Sequence, residues 1–397
     1  MKYLATLTPS DMHNINCTAV LELIRREGPI FRSNIAVKLN LTLPSILRII
    51  DNLINENLIR YVEMADQKSG RKRPLVALDI QKNITIGLDL GGYRIYGAVV
   101  DFGGNILFDK AVLKNGAVGD AIYDLAKNLG FELLEYANKR DAIIRGMGVG
   151  VPGVTQPENG NVKWAPSLKW KDYPLRGRLR QDFNLPVMIE NDVNLSALGE
   201  SWFGIGKDYS DLAFIRVGTG IGMGLILNGS LYRGTRDMAG EIRHMPLHIG
   251  EMKNAAWEPS SIEHYIAGIG ISEQAREALG AEAFGIAPDT INAEYVFQAY
   301  ENAEPWAIPI IDGLCDHLAM AIVTANAFFD PGVIVLGGSV AQNLRPFLGR
   351  IGKRMKGKLL AEPNIYISDI GPKSSVLGAM INIMHNTKNY FTVKPLS

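Results

Sequence analysis

Two stretches of this chain share one plan, and that plan limits the fold more than any other feature. In Ile86 to Asp101 an apolar run ends at Asp89-Leu90-Gly91-Gly92, and a second apolar run leaves the turn and closes on another acid. In Leu212 to Leu227 the run Leu212-Ala213-Phe214-Ile215-Arg216-Val217 ends at Gly218-Thr219-Gly220-Ile221-Gly222, and a second run leads to Asn228-Gly229. Each reads as strand, glycine turn, strand. The amides of such a turn approach phosphate oxygens closely, and in the first turn Asp89 is placed to hold a cation or its waters. An ordinary hairpin with an acid at its tip has the same pattern. The repetition implies two similar lobes around a cleft, each offering a phosphate-binding turn. Val333 to Leu336, followed by Gly337-Gly338, supplies a third strand end of this type.

Between the two turns, strands alternate with helices. Asp120 to Asn138 reads as an amphipathic helix, and Ile143 to Val151 as a buried strand ending in Pro152-Gly153. Val187 to Glu190 is a strand ending at Asn191-Asp192-Val193-Asn194, before a small-residue helix at Leu195 to Gly199. This alternation indicates an α/β fold. Carboxylates where a strand ends and a helix begins sit where open α/β sheets keep their ligands. Asn191-Asp192 also fits a self-bonded turn that caps the following helix, and His244 a satisfied structural histidine.

The amino-terminal part has a different character. A helix over residues 10 to 27 is closed by Gly28-Pro29, and a short helix follows around Asn34 to Leu39. Asn40 suits a left-handed turn, and Thr42 suits the cap of a third helix with Pro44 in its first turn. The inner stripe of that helix is Ile46, Ile49, Ile50 and Leu53; its outer face carries Ser45, Arg48 and Asn52. Leu58 to Met64 and Pro74 to Leu78 look like strands joined through a basic tip that includes Arg71, Lys72 and Arg73. The set forms a winged helix-turn-helix, with Ser45 and Arg48 as base-reading candidates and the tip suited to phosphates or the minor groove. A trihelical accessory module with a solvated basic loop is the plainer reading. We expect a DNA-binding domain at 1 to 80, a first lobe at 81 to 200 and a second lobe at 201 to 397.

Charge supports that division. The chain has no net charge, yet residues 1 to 75 contain eleven Lys or Arg against seven acids, a difference of 11 minus 7, or +4. A basic end on an otherwise acidic protein points to a polyanion partner for that end. No wholly apolar run reaches the roughly 18 residues of a membrane helix, and the first residues do not suit a signal peptide. Cys17 and Cys315 suggest no disulfide framework. These features predict a cytoplasmic protein with no membrane partner.

Taken in order, Asp89-Leu90-Gly91-Gly92, Glu190-Asn191-Asp192-Val193-Asn194, Gly218-Thr219-Gly220-Ile221-Gly222, Gly240-Glu241-Ile242-Arg243-His244 and Gly337-Gly338, behind a winged helix-turn-helix, resemble the ROK family of bacterial sugar repressors and sugar kinases. The resemblance covers essentially the whole chain. It implies the two-lobed, actin-like (RNase H-like) sugar kinase ATPase fold. By the same resemblance Asp192 matches the catalytic base, and Asn191, Asp192, Glu241, His244 and Glu263 match sugar-binding positions. Asp89, Gly91, Gly92, Gly218, Thr219 and Gly220 match the ATP phosphate and magnesium region, with Gly337 and Gly338 on the nucleotide side. Phosphoryl transfer depends mainly on positioning and charge neutralisation, which such a set supplies.

Several positions depart from the family pattern. The three cysteines of the family's zinc site appear here as Asn254, Ala256 and Ser261, which supply no thiolate and argue against zinc. Arg243 replaces a glycine beside His244. Tyr93 stands where a small hydroxyl residue normally follows the first glycine pair, and its ring is expected to crowd the phosphates. Ser167 stands where a sugar-binding asparagine is usual. The expectation is therefore a sugar-responsive repressor that binds operator DNA as a homodimer or dimer of dimers and senses a sugar or sugar phosphate. An ATP-dependent, magnesium-requiring sugar kinase using Asp192, or a bifunctional protein, is the alternative.

Overall fold

The computed structural model describes residues 9–64, 73–247, 249–251, 261–280, 286 and 290–386. Helix α1 (Pro9–Glu27) is followed by the two-residue strand β1 (Ile30–Phe31) and by α2 (Arg32–Leu39). Asn40, at φ 52° and ψ 41°, turns the chain out of α2 in the left-handed region open to asparagine. The Thr42 hydroxyl then accepts the Ser45 amide at 3.4 Å and caps α3 (Leu43–Asn55), in which Pro44 lies in the first turn. Helix α3 buries Ile46, Ile49, Ile50 and Leu53, the stripe its spacing predicts. Strands β2 (Ile59–Met64) and β3 (Arg73–Leu78) pair antiparallel, and β3 also takes β1, which was too short to show any periodicity. This is a winged helix-turn-helix. The wing tip, including Arg71 and Lys72, lies outside the described residues.

The next sheet begins with the hairpin of β4 (Asn83–Asp89) and β5 (Arg94–Asp101), extended by β6 (Ile106–Leu113). Helix α4 (Asp120–Asn138) leads to β7 (Ile143–Val151), which lies parallel to β4. A small sheet of β8 (Val154–Gln156), β9 (Asn161–Ala165) and β10 (Trp170–Tyr173) precedes α5 (Leu175–Phe183). Strand β11 (Val187–Asn191) then pairs parallel with β7 and runs straight into α6 (Asp192–Phe203).

The plan now repeats. Strands β12 (Leu212–Val217) and β13 (Ile221–Leu227) form a hairpin extended by β14 (Ser230–Tyr232). Helices α7 (Ser261–Ile266), α8 (Gly268–Leu279), α9 (Ala293–Glu301) and α10 (Ala307–Phe329) precede β15 (Val333–Gly337), which is parallel to β12. Helix α11 (Leu348–Met355), strand β16 (Asn364–Ile367) and helix α12 (Lys373–Asn386) complete the described chain. The two sheets have the orders β6-β5-β4-β7-β11 and β14-β13-β12-β15-β16, one hairpin extension and two parallel crossovers in each. The internal repeat seen in the two glycine turns is thus a repeat of whole sheets.

One expectation changes here. Helix α12 belongs by sequence to the second half, yet it packs on α6, β7 and β4, because its buried face, Val376, Leu377, Ala379 and Met380, completes the core behind the first sheet. A lobe boundary at 200 therefore leaves one helix of residues 201 to 397 on the first lobe. Helix α10 does have the length and composition of a membrane span, with a mean hydropathy of 1.5. Its Ile311, Leu314, Leu318 and Ile322 lie in the core of the second lobe, and Asp312 pairs with Arg350 and Arg354 at 3.0 Å. Cys17 and Cys315 are free and buried.

Candidate functional site

Parallel pairing brings the cleft residues to one end of both sheets. Strands β4, β7 and β11 run side by side, so Asp89 at the end of β4 and Asn191-Asp192 at the β11–α6 junction share the carboxyl edge of the first sheet. Strands β12 and β15 do the same for Gly218 and for Gly337-Gly338. The Gly218 carbonyl accepts the Gly268 amide at 2.7 Å, and the Val217 carbonyl accepts that of Val340 at 3.0 Å, so both second-lobe turns are tied at their base. Gly338 sits at φ +99°, where a Cβ would come 2.5 Å from the Val217 carbonyl oxygen. The lobes meet at their glycine turns: a Cβ on Gly92 would lie 2.1 Å from Thr219 Oγ1.

The acids of the cleft are matched by cations that sequence reasoning missed. Arg216 donates from Nη1 to Asp192 Oδ2 at 2.6 Å, and its Nη2 lies 3.6 Å from Asp89 Oδ2. Asp192 thereby keeps the shorter contact. Burial pushes the Asp89 carboxyl up, to about 6; Arg216 opposes that rise and the Asp192 charge adds to it. Lys114, buried beside the same turn, donates to the Gly91 carbonyl at 3.0 Å, and burial holds its ammonium below the usual range. Glu190, 1% exposed, accepts from Arg233 at 2.7 Å and from Asn194 at 3.1 Å. One signal could have found Arg216: a lone cation two residues before a glycine turn, inside an otherwise apolar strand.

The expected sugar residues fall into two groups. Asn191 caps α6, its side-chain oxygen accepting from Val193 at 2.9 Å and Asn194 at 3.0 Å, while its amide donates to the Gly153 carbonyl. Asn191 and Glu241 line a shallow recess open to solvent, with Asn194, Asp237, Ala239 and Gly240 around them. Burial raises the Glu241 pKa, against the opposing Arg243 charge, with Asp192 and Glu263 also facing it. Glu263, on α7, accepts the Ile221 amide at 3.4 Å and pairs with Arg243 at 3.1 Å. His244 is half-buried in the short 3-10 turn after Glu241. Tyr93 is 65% exposed, and Arg216 reaches over the Gly91 end of the turn. Ser167 is exposed in the 3-10 turn after β9.

In the head, Ser45 and Arg48 stand exposed on α3, with the Ser45 hydroxyl also touching Thr42 Oγ1 at 2.9 Å. Asn52 does not belong to the outer face. It is half-buried, and its amide meets the His13 ring at 3.4 Å. Arg73 opens β3. Among the described residues no cluster of His, Cys, Asp and Glu could hold a metal ion; Asn254 and Ala256 lie outside the described residues, and Ser261 opens α7.

Known proteins resemble this chain. A putative xylose repressor of Caldicellulosiruptor sp. (strain Rt8B.4) is 31% identical over 340 residues, 82% of this chain and 84% of that protein. A glucokinase of Halalkalibacterium halodurans is 30% identical over 272 residues, 65% of this chain and 80% of that protein. The crystal structure of a ROK family transcriptional regulator, a homolog of E. coli MLC protein, matches in fold with a TM-score of 0.81 at 22% identity, over 96% of this chain and 98% of that one. The model of the ROK family matches residues 85–385, which hold every cleft residue named above; the chain belongs to the ROK family.

Proposed function

We propose that the chain is a sugar-responsive transcriptional repressor, binding operator DNA through its winged head and a sugar in the cleft between the lobes. The observation that carries this reading is a winged helix-turn-helix whose α3 presents Ser45 and Arg48 to solvent, joined by one contiguous core to the cleft-bearing body. Repressor relatives support the sugar-responsive part, and the one named for xylose puts that pentose first among ligands to try. In this reading Asn191, Asp192, Glu241, His244 and Glu263 hold the sugar ring through paired donors and acceptors. Arg48, Ser45 and the wing residues Arg71, Lys72 and Arg73 meet DNA, and the working unit is a cytoplasmic homodimer with two heads for two half-sites.

The test is fluorescence anisotropy with duplexes from around the protein's own gene, with and without xylose, other pentoses and glucose. One duplex should bind in the nanomolar range, with a salt-sensitive affinity that one sugar shifts. Arg48→Ala should weaken binding by about 10- to 100-fold, the value of one good base contact. Absence of any sequence-preferring duplex would remove the repressor reading. Glucokinase relatives favour a second reading, sugar phosphorylation with Asp192 as base. ADP release that Asp192→Asn abolishes would establish it.

A further inference from the structure

Kinship with sugar kinases implies magnesium and ATP phosphates at the turn Asp89-Leu90-Gly91-Gly92, and the residues present do not fit them. The two acids that would face a metal converge on a guanidinium instead, Asp192 at 2.6 Å and Asp89 at 3.6 Å. On the other side Asp89 Oδ1 is buried with no hydrogen-bond partner among the described residues, so Arg216 is the cation this carboxylate meets. A Cβ on Gly91 would find Arg216 Nη2 only 3.7 Å away, so the guanidinium lies over the turn where phosphate oxygens would have to come.

We infer that Arg216 is a resident cation that takes the place of the metal ion, leaving a cleft that accepts a sugar but not a metal-bound nucleotide. The inference rests on the sugar-cleft reading above and narrows it to this ligand class. The fold explains how the arginine gets there. On β12, Leu212 and Phe214 point to the core shared with α6, and Arg216 continues that face by the period-2 rule, which aims it at the start of α6. Its ladder partners are Gly222 on one side and Gly337 on the other, so no neighbouring side chain blocks its path across the cleft. Arg216 and Lys114 stand against Asp89 and Asp192, with Glu241 also facing Asp192. A divalent ion placed there would have to displace the guanidinium or sit beside it against like charge.

Manganese, titrated into the full-length chain and followed by electron paramagnetic resonance, tests this without any need for turnover. Wild type should show no binding that Asp89→Asn removes, up to millimolar metal. Arg216→Ser frees both acids and should bind manganese at least tenfold more tightly than wild type, an effect lost again in Arg216→Ser/Asp89→Asn. Arg216→Lys, which keeps a cation, should behave as wild type. Manganese binding by wild type that depends on Asp89 overturns the proposal, as does an Arg216→Ser chain that keeps its sugar-induced thermal shift and gains no metal. Should Arg216→Ser fail to fold, the wild-type titration decides alone. Operator binding and sugar-induced thermal shift are read separately, so their loss in wild type counts against the repressor reading and not against this one.

Discussion

Glu200 lies on α6 with no exposed surface, accepting a hydrogen bond from the Ser368 hydroxyl while the Asp369 charge stands nearby. Burial pushes its carboxyl from 4.5 up to about 6. The folded chain therefore holds this proton more tightly than the unfolded chain does. That contribution to stability is full below about pH 4.5 and is lost as the pH rises through about 6. Glu200→Gln keeps an acceptor for Ser368 and has no charge to bury. At pH 8 it should be more stable than wild type by up to about 2 kcal/mol, and near pH 4.5 the gain should vanish. Urea unfolding at the two pH values checks this; an equal gain at both would show that ionisation is not the cause. The same scale holds most of what was hidden in the sequence. Asp89 and Asp192 stand out in the sequence as acids at strand ends, and Glu241 only through the family pattern. Arg216, Arg233 and Lys114 do not, since a cation in a strand or loop is ordinarily solvated, and their acids come from distant parts of the chain.

Helix α6 is the element through which the cleft can reach the head. Its amino end carries Asp192 and the Asn191 cap, and Trp202 sits near its other end, about 15 Å away at 1.5 Å per residue. There the Arg25 guanidinium of α1 lies 3.8 Å from the Trp202 ring centroid, and His385 of α12 meets the ring edge-on at 5.2 Å. Along its length α6 touches α12 backbone to backbone. A Cβ on Gly199 would lie 2.1 Å from the Ser374 carbonyl oxygen, and one on Gly378 only 1.8 Å from that of Leu195. Two helices this close are expected to move together, which would carry a shift at Asp192 to Trp202 and thence to α1. Trp202→Ala should leave sugar affinity within about twofold and reduce the effect of sugar on operator binding several-fold. Anisotropy titrations with and without sugar measure this, and a coupling equal to that of wild type would rule α6 out as the link. The sequence marks α6 as a small-residue helix from Leu195 to Gly199, whereas it runs from Asp192 to Phe203. The small residues are legible; the helix whose backbone they admit is not, because α12 comes from the far end of the chain.

At the scale of the molecule, head and body are not separate beads on a linker. Val20 and Ile24 of α1 belong to the same contiguous core as Leu198 of α6 and Met384 of α12. Arg145 of β7 donates to the Glu56 carbonyl at 2.5 Å and to Asn83 at 2.6 Å, while Asn83 donates to the Asn57 carbonyl at 2.6 Å. The change in composition near residue 80 is a boundary in pattern, yet hydrogen bonds cross it, which local sequence has no means of showing. A head fixed in this way can respond to the cleft only if the lobes have two arrangements that sugar and operator favour differently. Arg216 and Arg233 are placed to matter here, because each joins a second-lobe element to acids of the first lobe. The coupling must then be reciprocal. If saturating sugar changes operator affinity by some factor, in the range of about 5 to 150 typical of such coupling, saturating operator must change sugar affinity by the same factor. Calorimetric titration of sugar into the free chain and into the operator complex, at one salt concentration because operator affinity is salt-dependent, gives one ratio. Anisotropy with and without sugar gives the other. Equal ratios place both ligands on a single two-state equilibrium of this chain. Unequal ratios would mean that sugar acts through another process, such as a change in oligomeric state, and the path through α6 would then lose its purpose.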